Sequence, residues 1–298
     1  MTDDSVNPYF SIIIPVYRDT DRLKMCLSTF SKISLECFDF EVIVVNNDPE
    51  SPLLDLNHSE YPIQIKEVFQ SIPGSYAARN QGIAVAKGEI IGFTDSDCLP
   101  SENWLKVAFE HFSKDSRKEI GIFTGPVPLF FKNPKALSDA EVFEKYTGFT
   151  TESYAKEGHA ITANWFSPVA VIREFGGFNA ELKSNGDSEL SGRISQKYKI
   201  VYSPKLIVHH PARYHTQELV NKYKRLLGGA YSRRFQSNKK GFRNHVIDFI
   251  WRRYRFAFKK LVTISPKESL AILKVCHAIN KGALEEYKSL VNGGETKR

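Results

Sequence analysis

Two apolar runs thirty residues apart constrain the fold of this chain more than any other feature: Phe10-Ser11-Ile12-Ile13-Ile14-Pro15 and Phe40-Glu41-Val42-Ile43-Val44-Val45. Both are rich in β-branched residues, as expected of strands covered on both faces. The first is expected to stop at Pro15. Between the runs Leu23, Leu27 and Phe30 recur at helical spacing behind Asp19 and Asp21, which predicts a helix. Strand, helix and strand within about 35 residues make a βαβ unit, and a βαβ unit implies a parallel sheet.

The same reading extends along the chain. A weaker strand is predicted at Gln64 to Phe69, then a helix from Tyr76 to Ala86 closed by Gly88, whose missing Cβ suits a left-handed cap. The next strand, Glu89 to Thr94, runs straight into Asp95-Ser96-Asp97. This sets two carboxylates at the carboxyl end of a strand, where open α/β sheets bind ligands. A helix carrying Trp104, Val107, Ala108 and His111 and a strand at Ile120 to Thr124 follow. The stretch 126–160 has poor periodicity and many aromatics and reads as loops and short helices over the active face. A helix through Ser188 to Lys197 and a strand through Leu206 to His210 complete the α/β part, and beyond Arg213 the pattern is helical and basic.

With 42% hydrophobic and 25% charged residues, the chain is excluded from collagen-like, disordered and multi-span membrane classes. Met1-Thr2-Asp3-Asp4 lacks the basic and apolar regions of a secretory signal, and no run approaches the roughly 18 apolar residues of a membrane span. The four cysteines, Cys26, Cys37, Cys98 and Cys276, show no metal-like spacing, and the cytoplasm is the expected compartment. Charge is uneven: of a net +7, the segment from Arg213 to Lys260 carries 14 Lys/Arg against 2 Asp/Glu. Such asymmetry points to an anionic partner for that segment. No nucleic-acid recognition motif accompanies it. Residues 249–261 interleave aromatics with arginine and lysine, as an interfacial helix on anionic lipid does. A basic helix that packs its aromatics on the catalytic domain accounts for the same pattern.

Acids at i and i+2 after a strand can share a face and offer hard oxygen ligands to Mg²⁺ or Mn²⁺, although a carboxylate in such a place also caps helices. Several ordered motifs together are more specific than this one alone. Ser11-Ile12-Ile13-Ile14-Pro15-Val16-Tyr17, Glu41 through Asn47, Ala78-Arg79-Asn80-Gln81-Gly82, and Ala86 through Asp97 resemble the nucleotide-binding half of the inverting family 2 glycosyltransferases. The likeness resumes at Thr162-Ala163-Asn164, Gly176-Gly177-Phe178, Asn185-Gly186-Asp187-Ser188-Glu189-Leu190 with Arg193, and His210-Pro211-Ala212-Arg213.

The resemblance implies a GT-A fold, Rossmann-like with a mostly parallel sheet, and a cell-surface polysaccharide type of enzyme. It implies a catalytic domain over 1–213, with 8–125 for the nucleotide sugar and 126–213 for the acceptor, followed by a basic helical extension over 214–298. Pro15 and Tyr17 would frame the base. Asn46 and Asn47 stand where the family usually has an aspartate, and an amide could still read a uracil or guanine edge. Arg79 would face the diphosphate, Asp95 the ribose or donor sugar, and Asp97 a divalent ion (Mn or Mg). Asp187 would be the general base for a saccharide or lipid-linked saccharide acceptor. His209 and His210 end a strand and face opposite sides; the match to Pro-Ala-Arg selects His210, which would join the metal or touch phosphate. Glu189, four residues before Arg193, has the spacing of a helix salt bridge. The altered Asn46-Asn47 pair motivates the alternative of a catalytically silent relative serving as a binding or scaffold subunit.

Overall fold

A computed structural model describes residues 7–33, 38–51, 54 and 56–296. Cys37 and the Met1-Thr2-Asp3-Asp4 terminus lie outside them. The chain divides into two compact units. One comprises the residues up to Pro128 with Phe149–Glu181 and Gly186–His210; the other comprises Leu129–Gly148, Leu182–Asn185 and the chain from Pro211 on.

The elements of the first half are β1 (Phe10–Val16), α1 (Thr20–Phe30), β2 (Phe40–Asn46), β3 (Gln64–Phe69), α2 (Ser75–Val85), β4 (Ile90–Phe93), β5 (Leu99–Pro100), α3 (Trp104–Phe112) and β6 (Ile120–Thr124). There follow β7 (Leu129–Phe130), α4 (Asp139–Thr147), α5 (Thr151–Lys156), β8 (Trp165–Pro168), α6 (Val169–Glu174), α7 (Gly186–Ile194), β9 (Lys199–Tyr202), β10 (Val208–Pro211), α8 (Thr216–Ala230), α9 (Lys239–Leu261) and α10 (Pro266–Val291).

The first unit is a seven-stranded sheet in the order β3-β2-β1-β4-β8-β6-β9. β1 pairs in parallel with β2 and β4, so the predicted βαβ unit forms the centre of the sheet. β8 is antiparallel to both β4 and β6, which leaves the sheet mixed but mostly parallel. β1 continues through Pro15 to Val16 instead of ending at the proline. The reason is local: Ile13 accepts from Thr94 on the β4 side and Val16 accepts from Asn47 on the β2 side. Pro15 therefore points its missing N–H past Phe93, where β4 has already ended, and no ladder bond is lost.

Gly88 also behaves differently from the expectation. It is absent from the glycines with positive φ, so it is no left-handed cap. A Cβ there would lie 2.5 Å from the Ser11 nitrogen and 2.6 Å from the Phe10 carbonyl carbon. Close approach of the turn to β1 is what demands glycine, and the Gly88 amide donates to Ser11 Oγ at 2.8 Å.

Phe10, Ile12, Ile14, Leu23, Leu27, Val42, Val44, Trp104 and Phe166 fill the core between sheet and helices. In the second unit α10 is the central helix, burying Ile272, Val275, Cys276 and Ile279 together with Phe143 of α4 and Leu219 of α8. Phe242 and Val246 of α9 pack with Leu227, Ala283 and Leu290. Among the described helices none is long and apolar enough to cross a membrane.

Candidate functional site

The sheet brings Asp95, Asp97 and Asn47 to the carboxyl ends of its parallel strands, because β4 and β2 run the same way and stop there. Asp97 lies near His210, with Oδ2 and Nε2 3.8 Å apart. β10 makes this possible by pairing antiparallel with β5, which directly follows the Asp95-Ser96-Asp97 turn. Of the two neighbouring histidines, His209 is exposed and His210 is buried against this turn, as strand alternation requires. Cys98 joins them, and one ligand atom from each of Asp97, Cys98 and His210 falls within 4.8 Å of the others. The Asp97 carboxylate and the His210 imidazole offer oxygen and nitrogen donors to a divalent ion, while the soft Cys98 thiol is not a ligand that Mn²⁺ or Mg²⁺ favours. Arg22 stands 3.6 Å from Asp97 Oδ2. Arg22 carries no signal in the sequence, since only folding brings α1 to this turn, whereas Cys98 directly follows Asp97.

Arg79, on α2, is 3% exposed and its Nη2 meets Asp95 Oδ1 at 2.5 Å. Its buried Nε has no hydrogen-bond partner. A guanidinium held on one edge by a carboxylate leaves donors for an anion.

Asp187 sits in the first turn of α7, which begins at Gly186, two residues earlier than the sequence suggests. Its Oδ1 accepts from the Ser188 amide at 2.9 Å. Loss of water around the carboxyl holds it above the usual carboxylate range, opposed by the Ser188 amide and the Arg79 charge. Tyr76, which sequence reading passed over, fixes this turn: a Cβ on Gly186 would lie 2.7 Å from the Tyr76 ring. The Tyr76 hydroxyl is pushed up to about 12 by burial and by the Asp187 charge, against the Gly186 and Asp187 backbone bonds.

Glu189 takes the place expected of a helix ion pair, accepting from Arg193 Nε at 2.7 Å and Nη2 at 3.0 Å. Arg193 also donates to the carbonyls of Phe175 and Gly177. Asn80 clamps the same loop, accepting from the Phe178 amide at 2.9 Å and donating to its carbonyl at 2.7 Å. These motif residues therefore tie the loop 175–178 to α2 and α7.

At the expected base pocket Tyr17 is exposed, with the Arg18 guanidinium 5.1 Å from its ring centre. Pro15 lies just before it on β1, opposite Val45. Asn46 donates to the Ser51 carbonyl and accepts from the Asp48 amide. Asn47 donates to the carbonyls of Gln70 and Ile72, each at 2.7 Å, and accepts from the Gly74 amide at 2.6 Å. Both protons of this amide are occupied in holding the 70–74 loop. Asp48 instead receives Arg18 Nε at 2.9 Å, and that bond holds its carboxyl below the ordinary range.

A cleft of about 500 Å³ in the same unit is lined by Phe149, Glu152, Lys156 and Tyr202 among others. Phe149 packs edge-on against the His210 ring at 5.1 Å, so the cleft borders the Asp97–His210 pair.

The sequence profile of "Glycosyl transferase family 2" matches residues 11–174. Glycosyltransferase AglE of Haloferax volcanii is 30% identical over 217 residues, covering 70% of this chain and 69% of that protein. The minor teichoic acid biosynthesis protein GgaB of Bacillus subtilis is 26% identical over 164 residues, 54% of this chain but only 18% of that protein. In structure, the mannosyltransferase PcManGT of Pyrobaculum calidifontis, solved with GDP-Man and Mn²⁺, is similar in fold at a TM-score of 0.56 and 15% identity. The match covers 98% of this chain and 77% of that one.

Proposed function

Since the chain belongs to glycosyltransferase family 2 and has its GT-A fold, we propose that it moves a sugar from a nucleoside-diphosphate donor to a hydroxyl acceptor with inversion at the anomeric carbon. The observation that carries this reading is the approach of Asp97 to His210, 3.8 Å apart beside the Arg79–Asp95 pair. In this reading Arg79 faces the diphosphate and Asp95 the ribose or the donor sugar. Asp97 and His210 would hold a divalent ion, which when bound would offset the charge of the diphosphate.

Asp187 takes the proton of the acceptor hydroxyl while that oxygen bonds to the anomeric carbon and the bond to the diphosphate breaks. One displacement completes the transfer, and no covalent enzyme intermediate forms. Burial raises the basicity of the Asp187 carboxylate, which suits a general base. The cleft beside Phe149 receives the acceptor, a saccharide or lipid-linked saccharide of a cell-surface polymer or glycolipid. GgaB's part in teichoic acid biosynthesis supports that setting, and an anionic membrane contacted by the basic tail would present such an acceptor.

The test is a panel of nucleotide sugars, scored by Mn²⁺-dependent hydrolysis and by thermal stabilisation, on the wild type and on Asp97→Ala. One donor should respond strongly, and Asp97→Ala should abolish its metal dependence. A flat response to every donor overturns the reading, and metal-dependent binding unchanged in Asp97→Ala overturns the metal assignment.

A further inference from the structure

Residues 249–261 are rich in aromatics, but α9 sorts them onto two faces. Phe249 and Phe256 turn inward against the second unit's core, and the Arg253 guanidinium lies between the Tyr223 and Phe249 rings, 3.9 and 4.0 Å from their centres. The opposite face carries Ile247, 57% exposed, Trp251, 64%, Phe258, 54%, and Val262, 84%, with Leu261 also exposed. Steps of four, seven and four residues from Ile247 to Val262 align these side chains along one line of the helix and its end. An indole, a phenyl and three aliphatic groups side by side in water are unusual for a solvated face.

α9 holds eight Lys/Arg and one acid, Asp248. That acid is occupied by Arg252 at 2.9 Å. Arg243, Arg255 and Lys259 are exposed on or beside the stripe. At its edge Tyr254 stacks on Phe258 and its hydroxyl meets His277 Nδ1 at 2.9 Å.

We infer that this outward stripe of α9, Ile247, Trp251, Phe258, Leu261 and Val262 with its flanking arginines and lysine, docks on a bilayer surface containing anionic phospholipid. The inference rests on the reading of an acceptor presented at a membrane. Positive charge complements the anionic headgroups. The aliphatic groups enter the acyl boundary, and the indole suits the interface, where one edge is apolar and the N–H is wet. A single-stranded nucleic acid would use the charge and the rings but would gain little from Ile247, Leu261 and Val262.

The three tryptophans make the test selective, because Trp104 and Trp165 are fully buried and only Trp251 can move from water to lipid. The full chain is floated with phosphatidylcholine vesicles, with and without about 30 mol% phosphatidylglycerol, at low salt and at about 0.5 M salt, where charges are screened beyond a few ångströms. Flotation and a blue shift of emission are expected only with the anionic lipid at low salt. Trp251→Ser combined with Phe258→Ser, and separately R243E/R255E/K259E, should each lower the bound fraction at least tenfold. Both variants should melt, and bind nucleoside diphosphate with Mn²⁺, like the wild type. That comparison separates failure of the docking face from failure of the donor site. The inference falls if the wild type stays unbound, if both variants float like the wild type, or if the chain binds an RNA oligonucleotide but not vesicles.

Discussion

Nη2 of Arg79 lies 2.5 Å from Oδ1 of Asp95, with the arginine buried and the aspartate one-third exposed. The pair joins α2 to the turn after β4, and it presents a guanidinium whose Nε has no partner. Arg79→Lys keeps the charge but loses the planar fork. Nucleoside diphosphate affinity should fall about tenfold or more, a factor worth about 1.4 kcal/mol per decade. Titration calorimetry with Mn²⁺ measures it, and an unchanged affinity would remove Arg79 from the donor site.

Asp187→Asn should lower sugar transfer by about 10²–10⁴-fold with donor binding retained. The stability effect has the opposite sign. Burial raises the folded-state carboxyl above its usual range, so the ionised group costs stability at neutral pH. That cost is absent below the unfolded value near about 4 and appears as pH rises through the folded value. Asp187→Asn should therefore melt at or above the wild type at pH 7, with the gap closing toward pH 4. In the wild type the acid limb of kcat/KM should lie at higher pH than an ordinary aspartate gives. If the variant transfers at the wild-type rate while Glu189→Gln does not, the base is Glu189.

Asn47→Asp would set carboxylate oxygens against the carbonyls of Gln70 and Ile72, which now accept from the Asn47 amide. Loss of about 1–3 kcal/mol is expected from the unpaired groups, seen as a lower melting temperature. Donor base preference, compared across uridine and guanosine diphosphates, should stay as it is. A switched preference at unchanged stability would place Asn47 at the base.

Gly88→Ala should destabilise by about 1–3 kcal/mol, because its Cβ would meet the Ser11 and Phe10 backbone rather than a flexible side chain. The backbone angle itself is unstrained. A melt equal to the wild type would show that this turn can shift.

Sequence alone was enough for the βαβ centre and for the strand leading into Asp95, because their apolar periodicity is local and a strand buried on both faces has a near-continuous apolar pattern. It was also enough for the Glu189–Arg193 pair, whose spacing is one helical turn. Trp165–Pro168, just beyond the aperiodic stretch 126–160, drew no strand from the sequence. It becomes the antiparallel strand between β4 and β6 only when both lend it their edges. The bonds of Asn47 to the Gln70 and Ile72 carbonyls, 23 and 25 residues away, carry no signal in the sequence. The meeting of Asp97 with His210 and the Tyr76 ring against Gly186 join residues more than 100 positions apart in sequence, and which α9 aromatics face inward is set by the helices they pack on. Periodicity reports what a segment can bury, and tertiary packing decides which neighbour buries it.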